Sequence, residues 1–299
     1  MPGKQWVSVD VGGTEIKYGV FADNGELLYH DKRKTPAGAA NIVIPEAVIG
    51  IIRDMIDRCG PTEGVGISTA GVVDTVSGEI LFAGSTIPGY KGTNLKRTVE
   101  ERFGVHTTIA NDVNAAAVGE WWQGAAAGVD DFFGMTIGTG IGGALFCGGV
   151  LVTGAHHRAG EIGHILYDKN SGTTYEQRAS TSALLKVADS ELPDFDGSGF
   201  TLFEQAKAGN PPYLAVIDRW TEEIARGIAD IIVVSDPKLI VIGGGVSEQG
   251  DYLLDKIKLQ VLKCLPRGFS QAELAVAKLG NKAALYGAIY SYFREETER

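Results

Sequence analysis

Residues 6–29 read WVSVDVGGTEIKYGVFADNGELLY, and residues 132–153 read FFGMTIGTGIGGALFCGGVLVT. In the first stretch, alternating β-branched residues predict a strand over 6–10. Gly12-Gly13-Thr14 makes a tight loop, a second strand covers 16–21, and Asn24-Gly25 is a strong hairpin signal before a third strand over 26–29. In the second stretch a strand over 132–137 meets the loop 138–143, followed by a strand over 144–147, a Gly148-Gly149 turn and a strand over 150–153. Strand, glycine loop, strand, turn and strand thus occur twice with matched spacing. The pattern predicts an internally duplicated α/β fold with no long linker between the copies.

Outward from these repeats, a helix is expected over 42–58 and a strand over 64–67. A second apolar strand covers 107–110. In the last third, Asn210 can cap a helix opening with Pro211-Pro212, whose apolar face carries Leu214, Ile217, Thr221, Ile224, Ile228 and Ile231. Asp236-Pro237 ends that helix. A buried strand over 238–242 runs into Gly243-Gly244-Gly245 and another helix, and a final helix from about Lys282 places Leu285, Ala288, Ile289 and Tyr292 on one side.

Composition narrows the function. At about 150 residues per domain, the 299 residues suggest two domains or one large one, and 44% apolar with 21% charged residues is an ordinary globular balance. A formal charge of −10 argues against nucleic acid as a partner, because such binders need a basic face. No apolar run suits a membrane span and no signal peptide is seen, so a cytoplasmic protein is expected. Three scattered cysteines make no disulfide framework.

The 41 glycines are clustered. Gly138-x-Gly140-x-x-Gly143 has the form of a dinucleotide fingerprint, with Glu161 about 20 residues on, but that fingerprint requires a helix directly after the glycines. A hairpin follows here, so the Rossmann reading fails. No G-x-x-x-x-G-K-[ST] occurs either. The alternative is a pair of phosphate clamps, Asp10 to Thr14 and 138–143, whose glycines let backbone N–H groups approach an anion closely. Thr14 and Thr139 add hydroxyls. Asp10 needs a cation beside phosphate, and Mg²⁺ or its bound water is the natural partner.

VDVGGTEIK, IANDVNAAAVGE at 109–120, TIGTGIGG at 136–143, AGEIGH at 159–164 and VIGGGV at 241–246 occur in that order. Together they resemble the ROK family (repressors, open reading frames and sugar kinases) of the actin-like ATPase superfamily, over essentially the whole chain. The resemblance implies two actin-like, ribonuclease H-like domains around a central cleft, with boundaries expected at 1–113 and 114–282 and a final helix at about 283–299 packing back on the first. It implies ATP and Mg²⁺, a small-molecule sugar as substrate, and a homodimer. The implied nucleotide contacts are Asp10, Gly12, Gly13, Thr14, Lys17, Gly138, Thr139, Gly140, Gly142, Gly243, Gly244 and Gly245. Repressor members carry a DNA-binding region ahead of the first glycine motif; with that motif at Asp10, none is expected here.

At the sugar end, Asp112 is the candidate general base and Asn111 a hydroxyl anchor, both at the end of the 107–110 strand. A carboxylate of ordinary pKa, about 3.9, is far too weak to deprotonate an alcohol outright. Asp112 is therefore expected to orient the hydroxyl and accept its proton late, as in loose phosphoryl transfers. An Asn-Asp helix cap is the plainer reading of the same pair. By resemblance Glu161, His164 and Glu176 bind hexose hydroxyls, and Gly71 with Pro88-Gly89 shapes the pocket wall. Alanine stands at position 70 where the family usually has proline.

Most family kinases place a cysteine cluster after the histidine to hold structural zinc. Residues 165–175, ILYDKNSGTTY, contain no cysteine, so a zinc-free branch is expected. Without that brace, Tyr175, Gln177 and Arg178 beside Glu176 are expected to leave the anomeric side of the sugar open or polar. The expected activity is transfer of the γ-phosphate of ATP to the 6-hydroxyl of glucose or a β-glucoside. The alternatives are a fructose, mannose or N-acetylmannosamine kinase and a non-enzymatic sugar-sensing regulator.

Overall fold

The computed structural model describes residues 3–84, 87–165, 168–170 and 172–297. Leu166, Tyr167 and Ser171 of the cysteine-free loop, and residues 298–299 of the expected final helix, lie outside them. The chain divides into two compact units. The first comprises Met1–Ala127, Gly154–Arg158 and Asn281–Arg299, the second Gly128–Thr153 and Ala159–Gly280.

The first unit contains β1 (Gln5–Val11), β2 (Glu15–Ala22), β3 (Leu27–Lys34), α1 (Ala40–Cys59), β4 (Gly64–Thr69), the small ribbon β5 (Val72–Val73) and β6 (Ile80–Phe82), α2 (Leu95–Phe103), β7 (His106–Asn111) and α3 (Asp112–Gln123). Its main sheet runs β3-β2-β1-β4-β7. The first three strands are antiparallel, while β4 and β7 join β1 in parallel. β1 is central, so six of its seven residues are buried instead of alternating.

The second unit contains β8 (Phe132–Ile137), β9 (Ile141–Cys147), β10 (Val150–Val152), α4 (Glu176–Ala179), α5 (Thr181–Glu191), α6 (Gly199–Lys207), α7 (Pro211–Ser235), β11 (Leu239–Gly243), α8 (Asp251–Cys264) and β12 (Glu273–Val276). Its sheet order is β10-β9-β8-β11-β12. Antiparallel β8 to β10 and parallel β11 and β12 repeat the first sheet strand for strand. Its core gathers the buried face of α7, Ile217, Ile224, Ile228 and Ile231, with Leu253 and Ile257 of α8.

The expected single final helix is instead α9 (Ala283–Ile289) and α10 (Ser291–Thr297), separated at Tyr290. Two carbonyls of α9 also accept from hydroxyls of the sheet. Ser8 Oγ donates to Leu285 O at 2.8 Å, and Thr108 Oγ1 to Ala288 O at 2.9 Å. These bonds satisfy hydroxyls of the first sheet that would otherwise be costly to bury.

The expected boundary at 113/114 is displaced, because α3 belongs to the first unit. Ala115 and Gly119 on α3, and Ala283 and Gly287 on α9, are spaced four apart and so share one face of each helix. A Cβ on Gly119 would strike Ala283 O, and one on Gly287 would strike Ala115 O. The backbones therefore meet directly, which holds α3 to α9 and both to the first unit.

Candidate functional site

In the first unit, β1, β4 and β7 lie in parallel register, so their carboxyl ends form one edge. Such edges are where ligands bind in parallel sheets. Asp10 pairs across with Ser68, and Thr69 with Asn111. Asp10 is 6% exposed. Its Oδ1 accepts from Ser68 Oγ and its Oδ2 lies 3.3 Å from Lys17 Nζ. Lys17 stands opposite Asp10 on β2. Ser68 carries no motif signal; its role follows from strand register alone.

The Gly12 loop is tied by Gly12 N–H to Glu15 O at 3.1 Å and by Thr35 Oγ1 donating to Gly12 O at 2.7 Å. A Cβ on Gly12 would lie 3.0 Å from Glu15 O. Close approach of backbone, and not a left-handed conformation, is what glycine allows there.

Asn111 closes β7 and caps α3. Its Oδ1 accepts the N–H groups of Val113 and Asn114, at 2.9 and 3.0 Å, and its Nδ2 donates to Gly71 O and Asp112 Oδ1. The expected hydroxyl anchor is thus the cap itself, with both ends of its amide engaged. Asp112 Oδ1 accepts from Asn111 Nδ2 and from Val113 N–H, both at 2.9 Å, which fixes the carboxylate at the sheet edge. Gly71, at φ 102°, supplies the carbonyl that orients Asn111. Tyr90 is fully buried, its hydroxyl 2.9 Å from Thr69 Oγ1, and burial drives its phenol far above the usual range. It braces the end of β4 as a neutral group.

The second unit builds its site differently. Gly138 N–H donates to Gly140 O and Thr181 N–H to Gly138 O, each at 2.9 Å. Ile141 N–H donates to Glu176 Oε2 at 2.9 Å. Gly243 ends β11 opposite Thr136. Gly244 is left-handed at φ 87°, and a Cβ there would run into the Ile137 backbone, so only glycine fits. Thr139, Glu176, Gln177, Ser180, Ser182 and Lys186 help line a cavity of about 460 Å³ beside the loop.

Glu161 precedes the short turn Ile162–His164, and His164 Nε2 lies 3.9 Å from Glu161 Oε2. The two groups expected to read sugar hydroxyls are therefore neighbours on one turn. Gly160, at φ 91°, packs against the backbone of Gly143, linking this turn to β9.

Tyr175 does not flank the sugar as expected. It is fully buried, its hydroxyl donates to Ile224 O at 2.8 Å, and its ring fills the space a Cβ on Gly227 would need. Adjacent residues on a helical turn point in different directions, so contiguity with Glu176 carries no shared exposure. Arg178 is also turned inward, with ion pairs to Asp168 and Glu223 at 3.3 and 3.5 Å. Gln177 is exposed, its Oε1 accepting Thr174 N–H.

Magnesium takes oxygen ligands octahedrally, commonly water and phosphate with one or two carboxylates. Asp10, with one oxygen held by Ser68 and the other beside Lys17, fits an ion reached through water. Among the described residues no three His, Cys, Asp or Glu side chains cluster as a metal site, and no helix is long and apolar enough to cross a membrane.

The sequence profile of the ROK family matches residues 6–294. A β-glucoside kinase of Klebsiella pneumoniae is 31% identical, with 95% of this chain and 94% of the relative covered. A glucokinase of Streptomyces coelicolor is 33% identical over 94% of this chain and 95% of its own. Among solved structures, a ROK family glucokinase from Streptomyces griseus in complex with glucose and AMPPNP superposes with a TM-score of 0.82 at 32% identity, covering 95% of this chain and 97% of that one. With its duplicated sheets and motif order, the chain belongs to the ROK family.

Proposed function

We propose that this chain is an ATP-dependent sugar kinase that phosphorylates the 6-hydroxyl of a glucose unit, free or as a β-glucoside. The observation that carries the reading is Asp112, held at the sheet edge by Asn111 and Val113 N–H, in a chain similar throughout to glucokinases and a β-glucoside kinase.

In this reading Asp112 accepts a hydrogen bond from the sugar hydroxyl and orients its oxygen toward the γ-phosphorus. The new O–P bond forms as the bond to the β-phosphate oxygen breaks, ADP leaves, and the hydroxyl proton passes to Asp112 late in the transfer. Backbone N–H groups of 13–14 and 139–140, with Lys17 and the turn 243–245, hold the phosphates and nucleoside, while the Gly12 and Gly138 N–H groups close their own loops. Asp10 would hold magnesium through water, and when bound that ion neutralises phosphate charge. Glu161, His164 and Glu176 accept and donate to ring hydroxyls, as their donor and acceptor inventory allows. Asn111 acts by orienting Asp112, and Gly71 by orienting Asn111. The expected homodimer and cytoplasmic setting belong to the same proposal, and light scattering on the purified chain tests the first.

A coupled assay of ADP release tests the activity across glucose, cellobiose, mannose, fructose and N-acetylmannosamine. Glucose or cellobiose should give the highest kcat/KM. A tenfold preference for fructose or N-acetylmannosamine would overturn the glucose-unit assignment, and no sugar-dependent ADP release would overturn the kinase reading.

A further inference from the structure

The carboxylate of Glu176 touches the second glycine loop from outside it. Its Oε2 accepts Ile141 N–H at 2.9 Å, and a Cβ on Gly140 would collide with the same carboxylate. Glycine at 140 is thus what admits the side chain to the loop. A Cβ on Gly163 would lie 3.4 Å from both the Cβ and Oε2 of Glu176, so the turn between Glu161 and His164 packs on it too. No partner for Oε1 is found among the described residues, and Glu176 lines the cavity that also contains Thr139.

Glu176 is itself held firmly. The preceding Tyr175 is bolted to α7 through Ile224 O, and its N–H donates to Ile165 O at 2.9 Å. Trp220 Nε1 of α7 donates to Ala179 O and Ser180 O, at 2.9 and 3.1 Å. The next residue, Thr181, donates its N–H to Gly138 O. The loop is therefore gripped at Gly138 by backbone and at Ile141 by a carboxylate, both carried by one rigid segment.

We infer that Glu176 is a positioning residue for the nucleotide loop as well as a sugar contact: Oε2 anchors Ile141 while Oε1 receives a sugar hydroxyl. A sugar bound to Oε1 restrains the carboxylate that shapes the loop, so sugar and nucleotide bind with positive coupling, which must be reciprocal. The inference rests on the kinase reading for the identity of both ligands, and on the hydrogen bond alone for the anchor.

Two measurements test it on the full chain: the Kd for AMPPNP without sugar, and deuterium exchange of the 138–141 amides without any ligand. Glu176→Ala removes the acceptor and should weaken AMPPNP about tenfold, the scale of a lost hydrogen bond to a charged group, with faster exchange at 138–141. In Glu176→Gln the amide oxygen still accepts from Ile141, so AMPPNP affinity and exchange should return to within about twofold of the parent. Glucose affinity should stay impaired in both variants. Unchanged exchange and unchanged AMPPNP affinity in Glu176→Ala would overturn the anchor and leave Glu176 a sugar contact only. Failure of the glutamine variant to restore either quantity would overturn it as well. If the parent phosphorylates no sugar, the kinase reading fails while the exchange measurement still decides the anchor.

Discussion

The two sheets have the same strand order and directions but carry their chemistry in different places. In the first unit the acids sit on the repeat itself, Asp10 near the end of β1 and Asp112 directly after β7. In the second, β8 ends in Thr136-Ile137 and β12 in Ala275-Val276, with no acid at either end. Glu161 and Glu176 instead come from the segment between β10 and α5. The duplication supplied two equivalent scaffolds. The acids stand at strand ends on one scaffold and on the segment between β10 and α5 on the other, where Glu176 draws its support from turns and α7.

The largest expected effect lies on the first scaffold. Asp112→Asn keeps the shape and the acceptor for Val113 N–H but loses the proton acceptor, and should lower kcat by about 10²–10⁴ with sugar binding retained. Near-normal turnover in steady-state assays would remove Asp112 from the chemistry.

The second effect separates loop from ligand. A Cβ on Gly138 meets nothing within 4 Å, and its φ is not left-handed. Gly138→Val should therefore leave the melting temperature near that of the parent. Its KM for ATP should rise by on the order of tenfold, the effect of keeping backbone away from phosphate. Equal ATP titrations of variant and parent would make that loop a structural turn only.

Gly287→Ala probes the junction that assigns α3 to the first unit. Its Cβ has no room against Ala115 O, so a loss of about 1–3 kcal/mol is expected on chemical denaturation. Parental stability would show that α3 and α9 are free to separate.

The smallest effect is Tyr175→Phe. It removes one buried hydrogen bond to Ile224 O and should cost about 1 kcal/mol of stability. The ratio of kcat/KM for cellobiose and glucose should not move. A changed ratio would return Tyr175 to the sugar pocket.

Much of the scaffold was legible because period-two runs ended in Asn24-Gly25, Gly148-Gly149 and the two glycine loops. β12 was not, since ELAV is only four residues long, and the 266–269 turn ahead of it marks a change of direction without saying that a strand follows. The α3 assignment was legible only in part. Ala115 and Gly119, and Ala283 and Gly287, have the spacing of a close helix crossing, but nothing local says that these two faces meet across about 170 residues. In the same way, motif order named Glu176 but not its hold on Ile141, 35 residues earlier, because a hydrogen bond to a backbone N–H leaves no trace in residue type. Ser68, Tyr90, Tyr175 and Trp220 were missed as supports because their partners, Asp10, Thr69, Ile224 O and the carbonyls of Ala179 and Ser180, are brought to them only by the fold.

The most direct measurement is product analysis by phosphorus NMR after incubating the chain with ATP, magnesium and glucose. The account predicts a phosphomonoester coupled to the C6 methylene protons of glucose, formed in equal amount to ADP, and nearly absent with Asp112→Asn over the same time. Inorganic phosphate without sugar phosphate, a phosphate on another carbon, or equal product from the asparagine variant would contradict it.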